Sequence, residues 1–82
     1  MKVILYSTVG CHLCEQAKQV LWPLVVQYQF RLVEIDIADD DVLMSRYGVR
    51  IPVLASPGVE RELSWPFSVK DADAFFAELS DM

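Results

Sequence analysis

Residues 2–14, KVILYSTVGCHLC, join an apolar run to the two cysteines of the chain, and this stretch indicates both the fold class and the chemistry. Lys2–Ser7 is apolar on both of its alternating faces, which predicts a strand in the middle of a sheet that helices cover. Thr8–Gly10 forms a short break after this strand. The amphipathic helix that follows begins at the cysteines and is expected to bury side chains at helical spacing, namely Leu13, Ala17, Val20, Leu21 and Leu24.

The next two segments complete a strand-helix-strand unit. Pro23 lacks the amide that an interior helical position donates, so the first helix is expected to kink there or to continue as a shorter second piece towards Tyr28. Residues 30–37, FRLVEIDI, alternate apolar and charged side chains, which is typical of a half-covered strand. Because a helical crossover makes the two strands parallel, the first half of the chain predicts an α/β fold.

The following segment predicts a short helix and a hairpin. Asp39–Asp41 supply acidic side chains at the positive end of the short helix, and Gly48 is suited to end it. The strand-like runs at residues 51–55 and 60–64 flank a turn-rich linker of hairpin length. These two strands are therefore expected to pair antiparallel.

The last helix begins at Ser68, whose hydroxyl offers an N-cap. Its apolar face is expected to carry Val69, Ala72, Phe76 and Leu79, whereas the charged side chains are expected to point mostly outward, namely Lys70, Asp71, Asp73 and Glu78. The predicted order is thus β-α-β-(α)-β-β-α, with a four-stranded mixed sheet flanked by helices.

Composition limits the classes of partner. A chain of 82 residues that is 54% hydrophobic is expected to form one domain over residues 1–82. A net charge of −5 repels phosphate backbones and anionic lipids, so neither nucleic acid nor membrane is an expected partner. Because we find neither an apolar run of about 20 residues nor a secretory signal, we expect a cytoplasmic protein. We also expect it to be a monomer.

Cys11 and Cys14 stand three positions apart, and a disulfide across so short a loop constrains little of the unfolded chain. The spacing therefore indicates redox chemistry or metal binding. At the junction of strand and helix, Cys11 faces unpaired amides and the positive end of the helix dipole, which both favour its thiolate. Cys11 is the predicted nucleophile, and the shielded Cys14, one turn further along, is the predicted resolving thiol. Such a couple requires no metal or organic cofactor.

His12 lies between the cysteines and is expected on the exposed side of the helix. Either a partly protonated imidazole stabilises the Cys11 thiolate there, or His12 is a solvated loop residue that tunes little; the sequence favours neither. Two other functions stay open for the cysteines. They hold a metal or an iron-sulfur cluster together with a second chain or glutathione, or they serve occasional regulation in a non-catalytic interaction module.

The stretch YSTVGCHLC, residues 6–14, together with the later Arg50-Ile51-Pro52-Val53, resembles the glutaredoxins, a family within the thioredoxin fold. The resemblance implies a thioredoxin-like fold and a thiol-disulfide oxidoreductase acting on protein or low-molecular-weight disulfides. It implies that Pro52 is cis beside the cysteines and that the Ile51 backbone pairs with a bound thiol peptide. The expected partner is a disulfide-containing protein or a small thiol, with glutathione a candidate co-substrate.

Three departures from the glutaredoxin pattern limit what the resemblance implies. Thr8 stands where a lysine usually holds a glutathione carboxylate, and His12-Leu13 stand where proline and tyrosine are common. Residues 64–71, SWPFSVKD, replace the Gly-Gly-Asp stretch that grips glutathione. In these respects the chain is similar to a small, divergent bacterial group of glutaredoxin-like proteins with C-H-L-C and a tryptophan before the final helix.

Four residues join Ile51 and Pro52 as predicted substrate-binding residues: Thr8, Gly10, Arg50 and Trp65. Arg50 either attracts an anionic partner or forms an exposed salt bridge. Trp65 and Phe67 either form an apolar floor beside the site or cap the core, and the second role is the commoner one for aromatics at the boundary of an element.

Overall fold

The computed structural model describes residues 1–81, in which one four-stranded sheet carries helices on both faces. The strands lie in the order β2-β1-β3-β4, as a mixed sheet. This arrangement confirms the predicted α/β class and the predicted order of elements. The elements are β1 (Lys2–Ser7), α1 (His12–Tyr28), β2 (Arg31–Asp36), α2 (Asp41–Tyr47), β3 (Val53–Ser56), β4 (Val59–Ser64) and α3 (Val69–Ser80).

Strand β1 is central because it pairs with β2 on one side and with β3 on the other. The pairing with β2 is parallel and ends at Ser7 opposite Asp36, whereas the pairing with β3 is antiparallel and places Tyr6 opposite Val53. The end of β1 therefore meets the beginning of β3 at one edge of the sheet. The loop to the cysteines leaves this edge, and Pro52 enters it.

Two hydrophobic cores lie on opposite faces of the sheet, since successive strand residues point to opposite sides. Helices α1 and α3 cover the face that carries Leu5 and Leu54. Helix α2 covers the other face, where the buried residues are Ile37, Tyr47 and Val53 and the partly buried residues packed on them are Tyr6, Leu43 and Ile51.

Helix α1 is continuous from His12 to Tyr28 although Pro23 lies inside it, so the prediction of a separate second piece is wrong. Pro23 and Gln19, four residues earlier, are both exposed. The Gln19 carbonyl, which loses its helical donor at the proline, thus lies on the solvent side of α1, where it is accessible to water in place of the missing amide.

Two apolar positions predicted to be buried are exposed, and both lie in the first turn of a helix. Leu13 is 45% exposed and Val69 is 55% exposed. Leu13 lies on the same flank of α1 as Val20, two turns further on, which is itself only partly buried. The first buried positions of these helices are instead Cys14 in α1 and Ala72 in α3.

Asp73 is partly buried rather than turned outward as predicted, because its carboxylate accepts a hydrogen bond from Tyr28. The Tyr28 hydroxyl lies 2.6 Å from Asp73 Oδ1 and joins the end of α1 to α3. This bond raises the pKa of Tyr28 above its ordinary value.

The acidic run before α2 caps the helix, as predicted. The Asp40 carboxylate accepts hydrogen bonds from the amides of Val42 and Leu43, each at 3.0 Å, and Gly48 ends the helix in a right-handed conformation with φ of −51°.

In the part of the chain that the structure describes, no helix has the length and apolar character needed to cross a membrane.

Tyr47, the last residue of α2, makes the main polar contact beneath that helix. Its hydroxyl donates to Glu62 Oε2 at 2.5 Å. Burial raises the pKa of Tyr47 from 10.0 to about 12, and the hydrogen bond to Glu62 acts in the same direction. For Glu62, burial disfavours the charged form, but hydrogen bonds from Tyr47 and Arg50 outweigh it and hold its pKa below the ordinary value.

The Tyr47 contact predicts a loss of stability in alkali that one substitution removes. Between pH 10.0 and about 12 Tyr47 ionises in the unfolded chain and stays neutral in the folded one, so its contribution is complete below this window and is lost as pH rises through it. We expect Tyr47→Phe to flatten the fall of the unfolding free energy there by about 2 kcal/mol, measured by urea unfolding. A Tyr6→Phe control that flattens it equally, or a Tyr47→Phe curve parallel to wild type, would contradict this assignment.

Candidate active site

Cys11 is the N-cap residue of α1, with an extended backbone at φ −85° and ψ 104°. Its sulfur accepts a hydrogen bond from the Cys14 amide at 3.1 Å, the place that a serine or aspartate oxygen takes in most capped helices. The amide and the positive end of the helix dipole therefore both point at the Cys11 sulfur. Once the sulfur is reduced, this arrangement favours its thiolate.

Cys14 lies one turn further into α1 and is only 1% exposed, whereas Cys11 is partly exposed. Their Cα atoms are 5.2 Å apart, and the two sulfurs are bonded to each other in the form that the structure describes. The two members of the pair thus differ in access, because another molecule reaches Cys11 and not Cys14.

His12 is exposed at the start of α1, as predicted. It lines a small open cavity of about 170 Å³ together with Gly10, Cys11 and Glu15. Gly10 has φ of +77°, a left-handed conformation that glycine adopts without strain, and this turn brings the chain from β1 into the helix. The cavity gives an incoming molecule direct access to the Cys11 sulfur.

A larger cavity of about 370 Å³ continues from this point, since Gly10 and Glu15 line both. Thr8 and Gly10, two of the predicted substrate-binding residues, thus border a groove beside Cys11. The other lining residues come from the end of β1 and the loop after it, the first turns of α1 and the edge strand β2: Ser7, Val9, Lys18, Glu34 and Asp36.

Lys18, Glu34 and Ser7 form a polar network in this groove that the sequence analysis missed. The Lys18 ammonium lies 2.9 Å from Glu15 and 3.4 Å from Glu34, and the buried Ser7 hydroxyl donates to Glu34 at 2.7 Å. The hydrogen bond to Glu15 raises the pKa of Lys18. Only the Glu15–Lys18 spacing of one helical turn signals this network in the sequence, because the contact with Glu34 depends on the β1–β2 register.

The Ile51–Pro52 peptide bond is cis, which is the isomer predicted. Pro52 is buried, and its carbonyl accepts the Trp65 amide at 3.0 Å. The Ile51 amide donates to the Tyr47 carbonyl at 3.1 Å, while the Ile51 carbonyl accepts no hydrogen bond from any residue in the range 1–81. Because Val53 pairs with Tyr6, Pro52 lies at the edge of the sheet from which the Cys11 loop leaves.

Trp65 lies at the same edge and precedes a second cis bond, to Pro66, which was not predicted from the sequence. Its indole packs edge-on against the buried Phe67, with ring centroids 5.1 Å apart, and contacts the core under α1 and α3. These contacts agree with the predicted role in which Trp65 caps the core.

Arg50 contacts its own chain rather than facing the groove. Its guanidinium lies 3.2 Å from Glu62 and 5.1 Å from the centre of the Tyr47 ring. Arg50 therefore forms a salt bridge, which was one of its two predicted roles. Within residues 1–81, no group of three or more histidine, cysteine or acidic side chains is placed to hold a metal ion.

Residues 2–77 match the protein family described as "Glutaredoxin-like domain (DUF836)". The chain belongs to this glutaredoxin-like family. The structure is similar to protein XcR50 from X. campestris, which is 38% identical, with a TM-score of 0.78 over 93% of this chain and 96% of that one. It is also similar to protein Ne2328 from Nitrosomonas europaea, which is 31% identical, with a TM-score of 0.76 over 90% of this chain and 88% of that one.

The glutaredoxin-like chain also shares its fold with more distant proteins. Oxidised thioredoxin O2 from Arabidopsis thaliana is 18% identical and gives a TM-score of 0.70 over 95% of this chain and 73% of that one. No protein of curated function matches the sequence. A thioredoxin fold that carries a C-x-x-C pair at the start of its first helix supports a redox-type function.

The unequal access of the two sulfurs predicts the order in which they react. In the reduced protein near neutral pH, iodoacetamide is expected to alkylate Cys11 at least about tenfold faster than Cys14, because only Cys11 is exposed and stabilised as a thiolate. Mass spectrometry of peptides from a time course measures both rates. Equal rates, or a faster Cys14, would show that this site is organised differently.

Proposed function

We propose that this glutaredoxin-like protein is a thiol-disulfide oxidoreductase in which Cys11 is the nucleophile and Cys14 the resolving thiol. One observation carries the proposal: the Cys11 sulfur accepts the first-turn amide at 3.1 Å, while Cys14, within disulfide reach, is 1% exposed. One sulfur is thus prepared to attack an external disulfide, and the other is prepared to meet only Cys11.

In the first step, the Cys11 thiolate attacks one sulfur of a substrate disulfide in line with the bond that breaks. A new bond forms between Cys11 Sγ and that sulfur, and the other substrate sulfur leaves as a thiolate. No net oxidation has occurred at this point, since one disulfide has replaced another. The product is a mixed disulfide on Cys11.

In the second step, Cys14 loses its proton to the departed thiolate or to water, and its sulfur attacks Cys11 Sγ. The mixed disulfide breaks, the rest of the substrate leaves as a thiolate, and the Cys11–Cys14 bond forms. The substrate disulfide has then gained two electrons and the protein dithiol has lost two. In the bonded form the Cα atoms are 5.2 Å apart, within the ordinary range for a disulfide.

A reducing thiol completes the cycle by reversing these exchanges at Cys11. Either two molecules of a small thiol such as glutathione or one protein dithiol supplies the two electrons. The cycle uses no resident metal or organic cofactor. Because a steady supply of thiols is a property of the reducing cytoplasm, we propose that compartment, with the protein acting as a monomer.

The surroundings of Cys11 favour a protein disulfide as the substrate. Exposed apolar side chains lie within three positions of Cys11 or Pro52 in the sequence: Val9 is 89% exposed, Leu13 is 45% exposed and Val49 is fully exposed. Such side chains gain free energy when a partner surface covers them. The groove beside Cys11 holds three carboxylates and one ammonium, so it repels anionic segments of a substrate.

Two serine variants separate the roles of the cysteines. We expect Cys11→Ser to reduce a peptide disulfide no faster than the uncatalysed background, because no attacking thiolate remains. We expect Cys14→Ser to accumulate a mixed disulfide between Cys11 and the peptide, because no resolving thiol remains. Mass spectrometry detects the adduct, and the release of peptide thiol gives the rate.

Wild-type protein that acts no faster than free cysteine, or a Cys11→Ser variant that keeps its rate, would argue against an oxidoreductase. The first result would instead favour a non-catalytic interaction module. A mixed disulfide that accumulates on Cys14 in Cys11→Ser, with none on Cys11 in Cys14→Ser, would reverse the assigned roles.

A further inference from the structure

We propose that Tyr47, Arg50 and Glu62 act as positioning residues that fix the Ile51–Pro52 segment where a substrate main chain pairs with it. These three residues are called the Tyr47 clamp. The inference rests on the proposed function and deepens it, because it assigns part of the substrate site to side chains on the face of the sheet opposite α1.

The main chain of Tyr47 holds the first half of the segment. Its carbonyl accepts the amide of Arg50 at 2.8 Å and the amide of Ile51 at 3.1 Å. One acceptor at the end of α2 thus fixes two successive residues directly before Pro52. The position of α2 on the sheet therefore sets the position of Ile51.

The side chains of Tyr47 and Arg50, which precede this segment in the chain, also contact one another and Glu62. The Tyr47 hydroxyl donates to one Glu62 oxygen at 2.5 Å, and Arg50 Nη2 lies 3.2 Å from the other. The Arg50 guanidinium lies over the Tyr47 ring at 5.1 Å from its centre, close enough for a cation–π contact. Glu62 belongs to β4 and lies two residues before Ser64, the partner of Val53. These side-chain contacts therefore join the Ile51–Pro52 segment to the sheet.

The clamp is also connected to the strand that leads to Cys11. Tyr47 is 3% exposed, and its ring stacks on that of Tyr6, with centroids 4.2 Å apart and planes 15° apart. Tyr6 lies in β1, one residue before the strand ends at Ser7. A single stacked pair thus contacts both chain segments that meet at the candidate active site.

What the clamp positions is a free hydrogen-bonding group. The Ile51 amide is occupied by Tyr47, but its carbonyl has no donor in the described part of the chain. A substrate peptide that lies alongside this segment supplies the missing N–H, as an added strand does at a sheet edge. Arg50, neutralised by Glu62, acts through the position of Ile51 and not as an anion-binding group.

A purely structural role for the clamp predicts a different pattern of kinetics. If the clamp only held α2 on the sheet, its loss would lower stability and affect all substrates alike. If it positions Ile51, its loss affects substrates that carry a peptide main chain and spares a small disulfide that has none. Peptide disulfide and hydroxyethyl disulfide are therefore the two substrates to compare.

Tyr47→Phe is the informative variant, since it keeps the ring, the stack and the main-chain carbonyl and removes only the hydroxyl. Glu62→Gln is the second, because it keeps the shape of the side chain and removes its charge. For both variants we expect KM for the peptide disulfide to rise about fivefold to tenfold. We expect kcat/KM for hydroxyethyl disulfide to stay within about twofold of wild type, within the range of changes unrelated to a lost hydrogen bond.

Tyr28→Phe is the matched control. It removes a comparable tyrosine–carboxylate bond, 2.6 Å to Asp73, at the far end of α1 from Cys11. We expect Tyr28→Phe to lower the melting temperature. We expect it to leave KM for the peptide disulfide and kcat/KM for hydroxyethyl disulfide unchanged.

The outcomes separate the inference from the function on which it rests. If wild type reduces neither substrate, the proposed function fails. Three results overturn the positioning role when wild type reduces both substrates: the clamp variants leave KM for the peptide unchanged, they lower both activities alike, or they match Tyr28→Phe. In each case the proposed oxidoreductase function is unaffected. Should Tyr47→Phe fail to fold, the Glu62→Gln kinetics decide the question alone.

Discussion

The hydrogen bond from the Cys14 amide to the Cys11 sulfur joins the fold of this protein to its chemistry. It exists because β1 ends at Ser7, a three-residue loop turns at Gly10 in a left-handed conformation, and the chain then enters α1 with Cys11 still extended. An N-cap sulfur replaces the usual oxygen and accepts an amide that helical geometry leaves without a partner. The same geometry sends Cys14 inward, one turn later, into the core under the helix.

The sheet supplies the other half of the site by its topology. A central strand that is parallel to β2 and antiparallel to β3 brings its own end and the beginning of β3 to one edge. Cys11 and Pro52 reach that edge from positions 41 residues apart in the sequence. Two networks hold the approaching segments: Lys18 and Glu34 fasten the first turns of α1 to β2, and Tyr47 and Glu62 fasten the segment before Pro52 to β4.

Local sequence patterns predicted most of the fold, because strand alternation, helical periodicity and caps such as Asp40 and Ser68 depend on neighbours in the chain. Local patterns gave wrong predictions where packing against distant elements decides which side chains are buried. Leu13 is exposed, and Pro23 lies inside a continuous helix on its solvent side. Glu62 illustrates the limit for the site. Nothing near it in the sequence indicates Tyr47, fifteen positions away, and only the β3–β4 register and the place of α2 bring them together.

The most direct test of this account is the ionisation of Cys11 when it is the only thiol. In Cys14→Ser the amide of residue 14 is retained, so the helix terminus still acts on the Cys11 sulfur. The ultraviolet absorbance of the thiolate, followed against pH, is expected to show that Cys11 ionises at a lower pH in the folded protein than in the protein unfolded in urea. A transition near pH ~8.5, that of an ordinary cysteine, in both folded and unfolded protein would contradict the account.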